Sequence, residues 1–399
     1  MKLSTRGNYG EGGTIMRKVY FDHSATTPVD PLVVDAMIPF LNVKFGNPSS
    51  IHSYGREVKV ALEEARESIA DFCNVRAADI YFTSGGTESD NMAIKGAAYE
   101  LKNKGKHIIT SKVEHHAVLH SCEFLEKEGF EVTYVAPDKY GMIHPESVED
   151  AIREDTILIT VMHANNEVGT INPIDRIGEV ARNKGILFHT DAVQSFGKIP
   201  IDLSKLPVDL MSMSGHKIYG PKGVGVLYVR KGVRLVQLSH GGGHERKRRP
   251  GTENMPGIIG MAKAVELRKE RMNDENKYLK NLRDKFYKKI NESMPRIFLN
   301  GHPEERLAGH LNLSFQGIEG EALLLSLDLK GVAASSGSAC TSGSIDPSHV
   351  LSAMGIKPEL AQSSIRFTLG RDNSEEDIDY TVGILPEIVQ RLRSMSALE

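Results

Sequence analysis

Residues 185–197, GILFHTDAVQSFG, read as a short buried strand that runs directly into a polar loop. The same order, an apolar run followed by polar or glycine residues, recurs at residues 79–86, 156–173 and 209–217. Helical stretches separate these strands, as in TESDNMAIKGAAYELK at residues 87–102. This alternation predicts a mainly parallel sheet with helices on both faces, which is an α/β fold.

The residues at the predicted strand ends are the first candidates for a functional site. In parallel sheets, ligands bind in the crevice beyond the carboxyl ends of the strands. Five predicted strand ends carry polar or glycine residues of this kind: Gly86 and Thr87, His115, Asn166, Asp191, and His216 and Lys217. Five ends that converge on one crevice are a stronger signal than any one of these residues alone.

The composition of the 399 residues argues against several classes of protein. A formal net charge of −3 gives no electrostatic reason to expect nucleic-acid or anionic-membrane binding. No stretch approaches the roughly eighteen consecutive apolar residues of a transmembrane helix. The three cysteines are widely spaced and form no C-x-x-C pair, so neither a disulfide framework nor a zinc site is expected. These features predict a protein of the reducing cytoplasm.

The chain divides into three predicted parts. Residues 1–15 are polar and rich in glycine, and we expect them to form a disordered leader. Residues 16–265 form the predicted large domain, although its first residues could pack on the smaller one. Residues 266–399 form a predicted smaller α+β domain. A long charged helix that starts near Ile258 should join the two domains, and residues 374–395 should form an amphipathic helix.

The stretch TSGGTESDN, residues 83–91, has the features of an anion site. Glycines after a strand let the backbone approach a ligand closely, and free N–H groups at the start of a helix bind phosphate. Thr87 opens the predicted helix and can cap it. An ordinary tight turn with a cap explains the stretch equally well, so this motif alone decides nothing.

The order of Asp191 and Lys217 along the chain indicates a function that neither residue indicates alone. A buried Asp191 needs a compensating cation, which a protonated pyridine nitrogen would supply; the alternative is an N-cap for a following helix. Lys217 fits a lysine that binds a cofactor as a Schiff base; the alternative is a solvated surface lysine. A phosphate cradle, an acid and a strand-end lysine in this order describe an enzyme that uses pyridoxal 5′-phosphate (PLP).

Further stretches extend this pattern along the chain: YFDHSATTP, GNPSSIHSYGR, FTSGGTESDN, EHHAV, MHANNEVGTINP, HTDAVQS, SGHKIYGPKGVG, GGGHE, RPGTEN, SSGSACTSG and SSIRFTLGR. In this order, from about Tyr20 to the C-terminus, they strongly resemble the NifS/IscS-like cysteine desulfurases of the class V aminotransferase group. The resemblance implies a PLP-dependent transferase of fold type I. The large domain would bind PLP, and the small C-terminal domain would carry Arg366 and a cysteine loop.

The resemblance also implies a role for each matching residue. Lys217 would bind the cofactor covalently, Asp191 would pair with its pyridine nitrogen, and His115 would stack on its ring and assist proton transfer. The other implied contacts are Asn166 and Gln194 with the phenolic oxygen, Gly86, Thr87, Ser214 and His216 with the phosphate, Thr252 with the phosphate of the other subunit of a homodimer, and Arg366 with the substrate carboxylate.

Cys340 lies in ASSGSACTSGSID, residues 334–346. Its small, polar and glycine-rich neighbours predict an exposed, mobile loop in which the thiolate can act as a nucleophile. The alternative is a buried apolar cysteine, which is the state that we predict for Cys73 and Cys122. The resemblance places this loop with the long-loop subgroup of the family.

The implied reaction converts L-cysteine to L-alanine and leaves a persulfide on Cys340. The persulfide sulfur would go to an iron–sulfur scaffold protein or into tRNA thiolation. Selenocysteine lyase, sulfinate desulfinase and true transaminase activities are the alternatives within the family. A non-catalytic scaffold that uses Cys340 to ligate an iron–sulfur cluster transiently with a partner is the alternative outside it; no resident metal is expected. The basic run at residues 244–251, HERKRRPG, is predicted to be a solvated loop.

Overall fold

The computed structural model describes residues 17–336 and 347–396. The strands in these residues are β1 (Val19–Tyr20), β2 (Ile80–Thr83), β3 (His107–Ser111), β4 (Glu131–Val135), β5 (Thr156–Thr160), β6 (Leu187–Asp191), β7 (Leu210–Ser214), β8 (Gly225–Val229), β9 (Ile297–Asn300), β10 (His310–Phe315), β11 (Val332–Ala333) and β12 (Ser364–Thr368). The helices are α1 (Pro31–Met37), α2 (Pro39–Asn42), α3 (Ser53–Cys73), α4 (Gly86–Leu101), α5 (His116–Lys127), α6 (Pro145–Asp150), α7 (Ile174–Lys184), α8 (His244–Lys247), α9 (Met255–Ser293), α10 (Gly320–Asp328), α11 (His349–Ala353), α12 (Pro358–Gln362) and α13 (Glu375–Met395). Short 3₁₀ turns, Ala77–Asp79 and Gly215–Lys217, precede β2 and follow β7.

A seven-stranded sheet with the order β2-β8-β7-β6-β5-β3-β4 forms the centre of the fold. Strands β7, β6, β5, β3 and β4 are parallel, whereas β8 runs antiparallel to both of its neighbours, β2 and β7. Because β2 and β7 are both antiparallel to β8, β2 runs in the same direction as the parallel strands. Every strand of this sheet except β8 therefore ends at the same edge, and the predicted α/β fold is confirmed.

Successive residues of the central strands enter two different cores. Ile108 and Leu158 pack on the face that α4 and α5 cover, whereas Ile109 and Ile159 pack on the opposite face with α3, α7 and the start of α9. Side chains alternate between the two faces of a strand, so a sheet covered on both faces needs apolar residues at nearly every position. This requirement explains the continuous apolar runs in the sequence.

Another core surrounds a three-stranded antiparallel sheet with the order β12-β10-β9. Its buried residues come from this sheet, from α10 and α13, and from the C-terminal half of α9. Val19 and Phe21 also belong to it, and β1 pairs in parallel with β11. The first described residues of the chain thus pack with its C-terminal part.

Helix α9 connects the two regions, since Ile258 is buried in the core of the central sheet and Phe286 in the other core. The predicted long helix is confirmed by α9, and the predicted amphipathic helix is confirmed by α13. The domain boundary between residues 265 and 266 falls inside α9 and stays a prediction, and the leader at residues 1–15 lies outside the described residues. Within the described ranges, no helix combines the length and the apolar character that a bilayer crossing requires.

Candidate active site

The loop between β2 and α4 forms a cradle of backbone N–H groups at the edge of the sheet. Gly85 has a φ of 154°, which residues with a Cβ rarely adopt, and Gly86 is the first residue of α4. The N–H groups of Gly86 and Thr87 have no acceptor among the described residues, because they belong to the first turn of the helix. Unused N–H groups at the start of a 16-residue helix favour an anion.

The predicted cap by Thr87 is wrong. The N-cap position is Gly85, and no side chain makes a capping hydrogen bond there. Thr87 lies two residues past the N-cap position, inside the first turn of the helix, so its hydroxyl does not take that role. Instead, the Glu88 carboxylate accepts a hydrogen bond from the Ser84 N–H at 2.5 Å and fixes the loop from the other side.

Gly225 keeps the cradle close to the end of β7. It pairs with Thr83 of β2 and with Ser214 of β7, so it lies between the two strand ends. A Cβ atom on Gly225 would lie 2.6 Å from the Cα atom of Gly85, which leaves room for glycine only. This close approach places the buried Ser214 and the cradle at the same corner of the sheet edge.

Asp191 ends β6 and is buried, with 5% of its surface exposed. Its Oδ1 accepts a hydrogen bond from the Val193 N–H at 2.8 Å. Burial raises the pKa of Asp191 to about 6, and the positive charge of Lys217 opposes that rise. Residues 192–198 form turns rather than a helix, so the alternative of an N-cap does not apply. A buried carboxylate in this position is stabilised by a cation or a protonated ring nitrogen.

A second buried carboxyl group, Asp90 on α4, lies near Asp191. Burial raises the pKa of Asp90 well above its ordinary value, and the charge of Asp191 raises it further. The His189 Nε2 atom lies 3.6 Å from Asp90 Oδ1 and 3.0 Å from the Ser212 hydroxyl. Because two adjacent buried carboxylates repel each other, a neutral Asp90 leaves the negative charge on Asp191.

Lys217 lies in the 3₁₀ turn that follows β7, and it is not a solvated lysine. Its Nζ donates hydrogen bonds to the carbonyl oxygens of Ser24 and Ala25 at 2.7 and 2.6 Å. The neighbouring His216 faces the Thr26 hydroxyl at 3.2 Å, and burial lowers the pKa of His216 to about 4. The Lys217 amine is therefore held at a fixed place inside the crevice.

His115 precedes α5 as its N-cap. Its Nδ1 accepts a hydrogen bond from the Ala117 N–H at 3.1 Å. Burial, together with the charges of Lys217 and neighbouring histidines, lowers the pKa of His115 to about 4. The ring is thus neutral near pH 7, and with Nδ1 as the acceptor its proton lies on Nε2.

Arg366 on β12 reaches the same crevice from the C-terminal part of the chain. Its Nη2 donates to the Asp22 carboxylate at 2.8 Å and its Nη1 to the Asn166 carbonyl oxygen at 3.0 Å. The buried Nε atom of Arg366 has no hydrogen-bond partner in the described part of the chain. The guanidinium is therefore fixed in orientation, and its Nε–H is unused in the described part of the chain. Gln194, also buried, donates from Nε2 to the Ser24 carbonyl oxygen at 2.9 Å.

The segment from Asp22 to Thr27 is a part of the site to which the sequence assigned no role. Besides the contacts with Lys217, Gln194 and Arg366, the Ser24 hydroxyl donates to the Asn166 carbonyl oxygen at 2.8 Å. The Thr27 hydroxyl donates to the His216 carbonyl oxygen at 3.0 Å. These partners of the segment lie 142 to 344 residues away in sequence, so no local pattern reveals the role of the segment.

Thr252 makes no contact with this cluster among the described residues, and Cys340 is not among those residues. Thr252 is exposed, whereas Arg249 of the same loop pairs with Glu88 at 3.0 Å. Both flanks of the Cys340 segment are placed, because Ser335 pairs with Arg366, and the Ser348 hydroxyl donates to Glu167 at 2.5 Å. Ser335 and Ser348, the described residues nearest to Cys340 that make these contacts, therefore both lie near the crevice.

The other two cysteines are buried, as predicted. Cys73 and Cys122 both have none of their surface exposed. Burial raises the pKa of the Cys73 thiol to about 12 and that of Cys122 even further. Neither thiol can supply an accessible thiolate near neutral pH.

The basic run at residues 244–251 is not the solvated loop that was predicted. Glu245 within it is buried and forms a bidentate ion pair with Arg66, at 2.7 and 2.8 Å. Arg246 and Arg248 donate to the carbonyl oxygens of Ala78 and Val233. The partners of Glu245 and Arg246 lie more than 160 residues away in sequence, which is why composition alone misread this run.

Comparison with known proteins places this geometry in a family. The family model for aminotransferase class-V matches residues 19–381. The chain belongs to the class-V aminotransferase family. Its fold is the PLP-dependent transferase fold, type I, and the resemblance seen in the sequence is confirmed.

Individual relatives are similar to this protein in sequence or structure over nearly the whole chain. A protein of Methanosarcina thermophila named cysteine desulfurase IscS is 55% identical over 382 residues, which are 96% of this chain and 94% of the relative. A protein of the same name from Dictyoglomus turgidum is 54% identical over 95% of this chain and 96% of its own length. A solved structure titled NifS-like protein has a TM-score of 0.89 and 40% identity, and covers 94% of this chain and 100% of its own. Another, titled SspA in complex with cysteine, has a TM-score of 0.80 and 41% identity, over 88% and 99% of the two chains.

Proposed function

We propose that the crevice at the sheet edge binds PLP and that the chain is a cysteine desulfurase. The observation that carries the proposal is the Lys217 amine, held on the Ser24 and Ala25 carbonyl oxygens at the edge where Asp191 also ends its strand. An anion cradle, a buried acid and a fixed amine are the groups that PLP requires. The bound cofactor supplies an electron sink for a deprotonated substrate carbon.

Two of the contacts with the cofactor are assigned on the chemistry of the groups in the crevice. Gly86 and Thr87 offer unused N–H groups to the phosphate, and Asp191 offers a charge to the pyridine nitrogen. The remaining assignments follow the family resemblance: Ser214 and His216 hold the phosphate, Asn166 and Gln194 contact the phenolic oxygen, His115 stacks on the ring, and Lys217 attaches the cofactor.

Arg366 binds the carboxylate of L-cysteine in this proposal. The guanidinium keeps an unpartnered Nε–H, and its contacts with Asp22 and Asn166 hold its plane in one orientation. A substrate carboxylate then gains charge-assisted hydrogen bonds without ordering a flexible side chain. The relative titled as a complex with cysteine supports this choice of substrate.

Lys217 and His115 divide the proton transfers. The Lys217 amine removes a proton from the substrate α-carbon once it no longer holds the cofactor. His115 presents the Nε2–H of a neutral ring, since its Nδ1 accepts from Ala117, so it acts as a proton donor. The Cys340 thiolate then attacks the substrate sulfur: the S–S bond forms as the Cβ–S bond breaks, and the electron pair of the broken bond stays with the substrate. A proton then binds the carbon that carried the sulfur. The products are L-alanine and a Cys340 persulfide.

A homodimer completes the site. Large apolar side chains are exposed on one stretch before and at the start of α3, namely Leu41, Val43, Phe45, Ile51 and Tyr54, with Ile51 90% exposed. A second copy of the chain would cover such a surface. Thr252, exposed in one chain, would contact the phosphate in the other chain's crevice.

The sulfur acceptor is an iron–sulfur scaffold protein in the cytoplasm, with tRNA thiolation as a second destination. Selenocysteine lyase activity is the competing function, because the same residues would bind L-selenocysteine. Rates with both amino acids, measured with and without a scaffold protein, separate the two functions. Stimulation of L-cysteine turnover by the scaffold supports the proposal, and turnover of L-selenocysteine alone contradicts it.

The experiment for the cofactor site is borohydride reduction followed by peptide mapping. A pyridoxyl group should appear on Lys217, with loss of the yellow colour. A label on the exposed Lys222 or Lys231 would end the assignment, and a protein that binds no PLP would support a non-catalytic scaffold instead.

A further inference from the structure

Lys198 lies just behind the active-site crevice and has no role assigned by the sequence motifs. It follows Gln194 by four residues, and its Nζ donates a hydrogen bond to Gln194 Oε1 at 3.0 Å. It shares the lining of one pocket with Ser24, Lys217, Arg268, Glu275 and His310. A lysine amine in a pocket with the cofactor lysine is unusual enough to need an explanation.

A short chain of hydrogen bonds connects the two lysines. A carbonyl oxygen can only accept, so the Gln194 amide nitrogen must face Ser24 and the amide oxygen faces Lys198. The amide nitrogen then faces the Ser24 carbonyl oxygen at 2.9 Å, and that same oxygen accepts from Lys217 at 2.7 Å. Lys198 and Lys217 are thus joined through Gln194 and one backbone carbonyl group. Without Lys198, the buried Gln194 oxygen would lose its donor and the amide would be free to turn.

The charges around Lys198 are mostly positive. Burial and the nearby cations Lys217, Arg268 and Arg366 together lower the pKa of Lys198 to about 7. The other titratable groups that face it from the surrounding elements are His216, His310, His23 and Glu275. Glu275 is paired with Arg268 at 2.5 Å, and Lys198 forms no ion pair within residues 17–336 and 347–396.

We infer that Lys198 is a positioning residue for Lys217: it fixes the Gln194 amide and the Ser24 carbonyl on which the Lys217 amine rests, and its charge disfavours a second charge on that amine. Electrostatic repulsion between the two amines is reciprocal, so a proton held by one weakens proton binding by the other. A cationic neighbour is a known way to activate a lysine for Schiff-base and general-base chemistry. This inference rests on the proposed cofactor role of Lys217.

The alternative is that Lys198 only fills space. Three variants separate the two accounts: Lys198→Met removes the charge and the donor, Lys198→Arg keeps both, and Lys205→Met is the matched control. Lys205 belongs to the loop between β6 and β7, as Lys198 does, but its side chain is 82% exposed. Each holoenzyme is titrated with pH while the visible absorbance of the bound cofactor is followed, and L-cysteine turnover is measured in parallel.

Lys198→Met should raise the pH midpoint of the absorbance change by roughly one unit, because a like charge that opposes protonation at Lys217 is removed. Its kcat should fall about tenfold with little change in KM, because the lost interaction stabilises the transition state and not the bound substrate. The kcat of Lys198→Arg should stay within about threefold of the wild-type value, and the kcat of Lys205→Met should equal the wild-type value.

Two results would overturn the inference. One is an unchanged midpoint in Lys198→Met, measured on protein that still binds the cofactor. The other is a Lys198→Arg variant that loses activity tenfold, and this variant decides the matter even if Lys198→Met does not fold. If borohydride labels no Lys217 in the wild type, the proposed cofactor site itself fails, so the two failures are distinguishable.

Discussion

Replacing Glu245 by glutamine should destabilise the protein, because this residue is buried although basic residues surround it in the sequence. The Glu245 carboxylate accepts two hydrogen bonds from Arg66, at 2.7 and 2.8 Å, and one from the Phe82 N–H at 2.8 Å. The side chains of Arg66 and Glu245 are only 3% and 2% exposed. Breaking a buried pair by changing one partner costs roughly 3–5 kcal/mol, because the other charge stays buried. Arg66 keeps its hydrogen bond to the Ile80 carbonyl oxygen, so we expect the free energy of unfolding to fall by about 3 kcal/mol, the lower end of that range.

The assay is equilibrium urea unfolding of Glu245→Gln, with Glu131→Gln as the matched control. Glu131 pairs with Arg153 on the surface, where the two side chains are 68% and 43% exposed, and such pairs contribute less than about 1 kcal/mol. The double variant Glu245→Leu with Arg66→Met should be more stable than Glu245→Gln, since no charge is left buried. Equal unfolding midpoints for Glu245→Gln and the control would refute this reasoning.

Three further changes test other parts of the account. Lys217→Ala should still bind the cofactor weakly but should yield no borohydride-stable label, whereas Lys222→Ala should label normally; a label in Lys217→Ala would refute the assignment. Arg366→Lys should raise the KM for L-cysteine about tenfold or more, through loss of a charge-assisted hydrogen bond, and should leave cofactor content unchanged; an unchanged KM would contradict its role. Burial raises the pKa of Glu114 to about 8, so the folded protein keeps a proton that the unfolded chain releases above pH 4.5. The free energy of unfolding should therefore fall as the pH rises from about 5 to 8, by roughly 3 to 4 kcal/mol, and Glu114→Gln should lack this dependence; parallel melting curves of the two proteins would argue against it.

The fold and the strand-end candidates could be predicted because their signals are local. An apolar run followed by Asp191 or by Gly215-His216-Lys217 carries both the strand and its functional end, and a parallel sheet brings such ends to one edge. The N-cap alternative for Asp191 and the solvated alternative for Lys217 could be resolved only by the structure, since each depends on the groups that surround the side chain in the folded chain.

The parts that the sequence did not reveal depend on contacts between distant residues. Ser24 contacts Lys217 across 193 positions, and Glu245 contacts Arg66 across 179. A charged run such as HERKRRPG has the same composition whether water or a buried partner faces it. Thr87 was misread for a different reason, because the helix begins one residue before it, at Gly86.

The central claim is that sulfur passes from L-cysteine to Cys340. The most direct measurement is mass spectrometry of peptides from the enzyme after brief exposure to L-cysteine, together with the amount of L-alanine formed. The account predicts one added sulfur atom on Cys340, in an amount equal to the first-turnover alanine, and neither a persulfide nor turnover in Cys340→Ser. An added sulfur on Cys73 or Cys122 with Cys340 unmodified, or full alanine formation by Cys340→Ser, would contradict it.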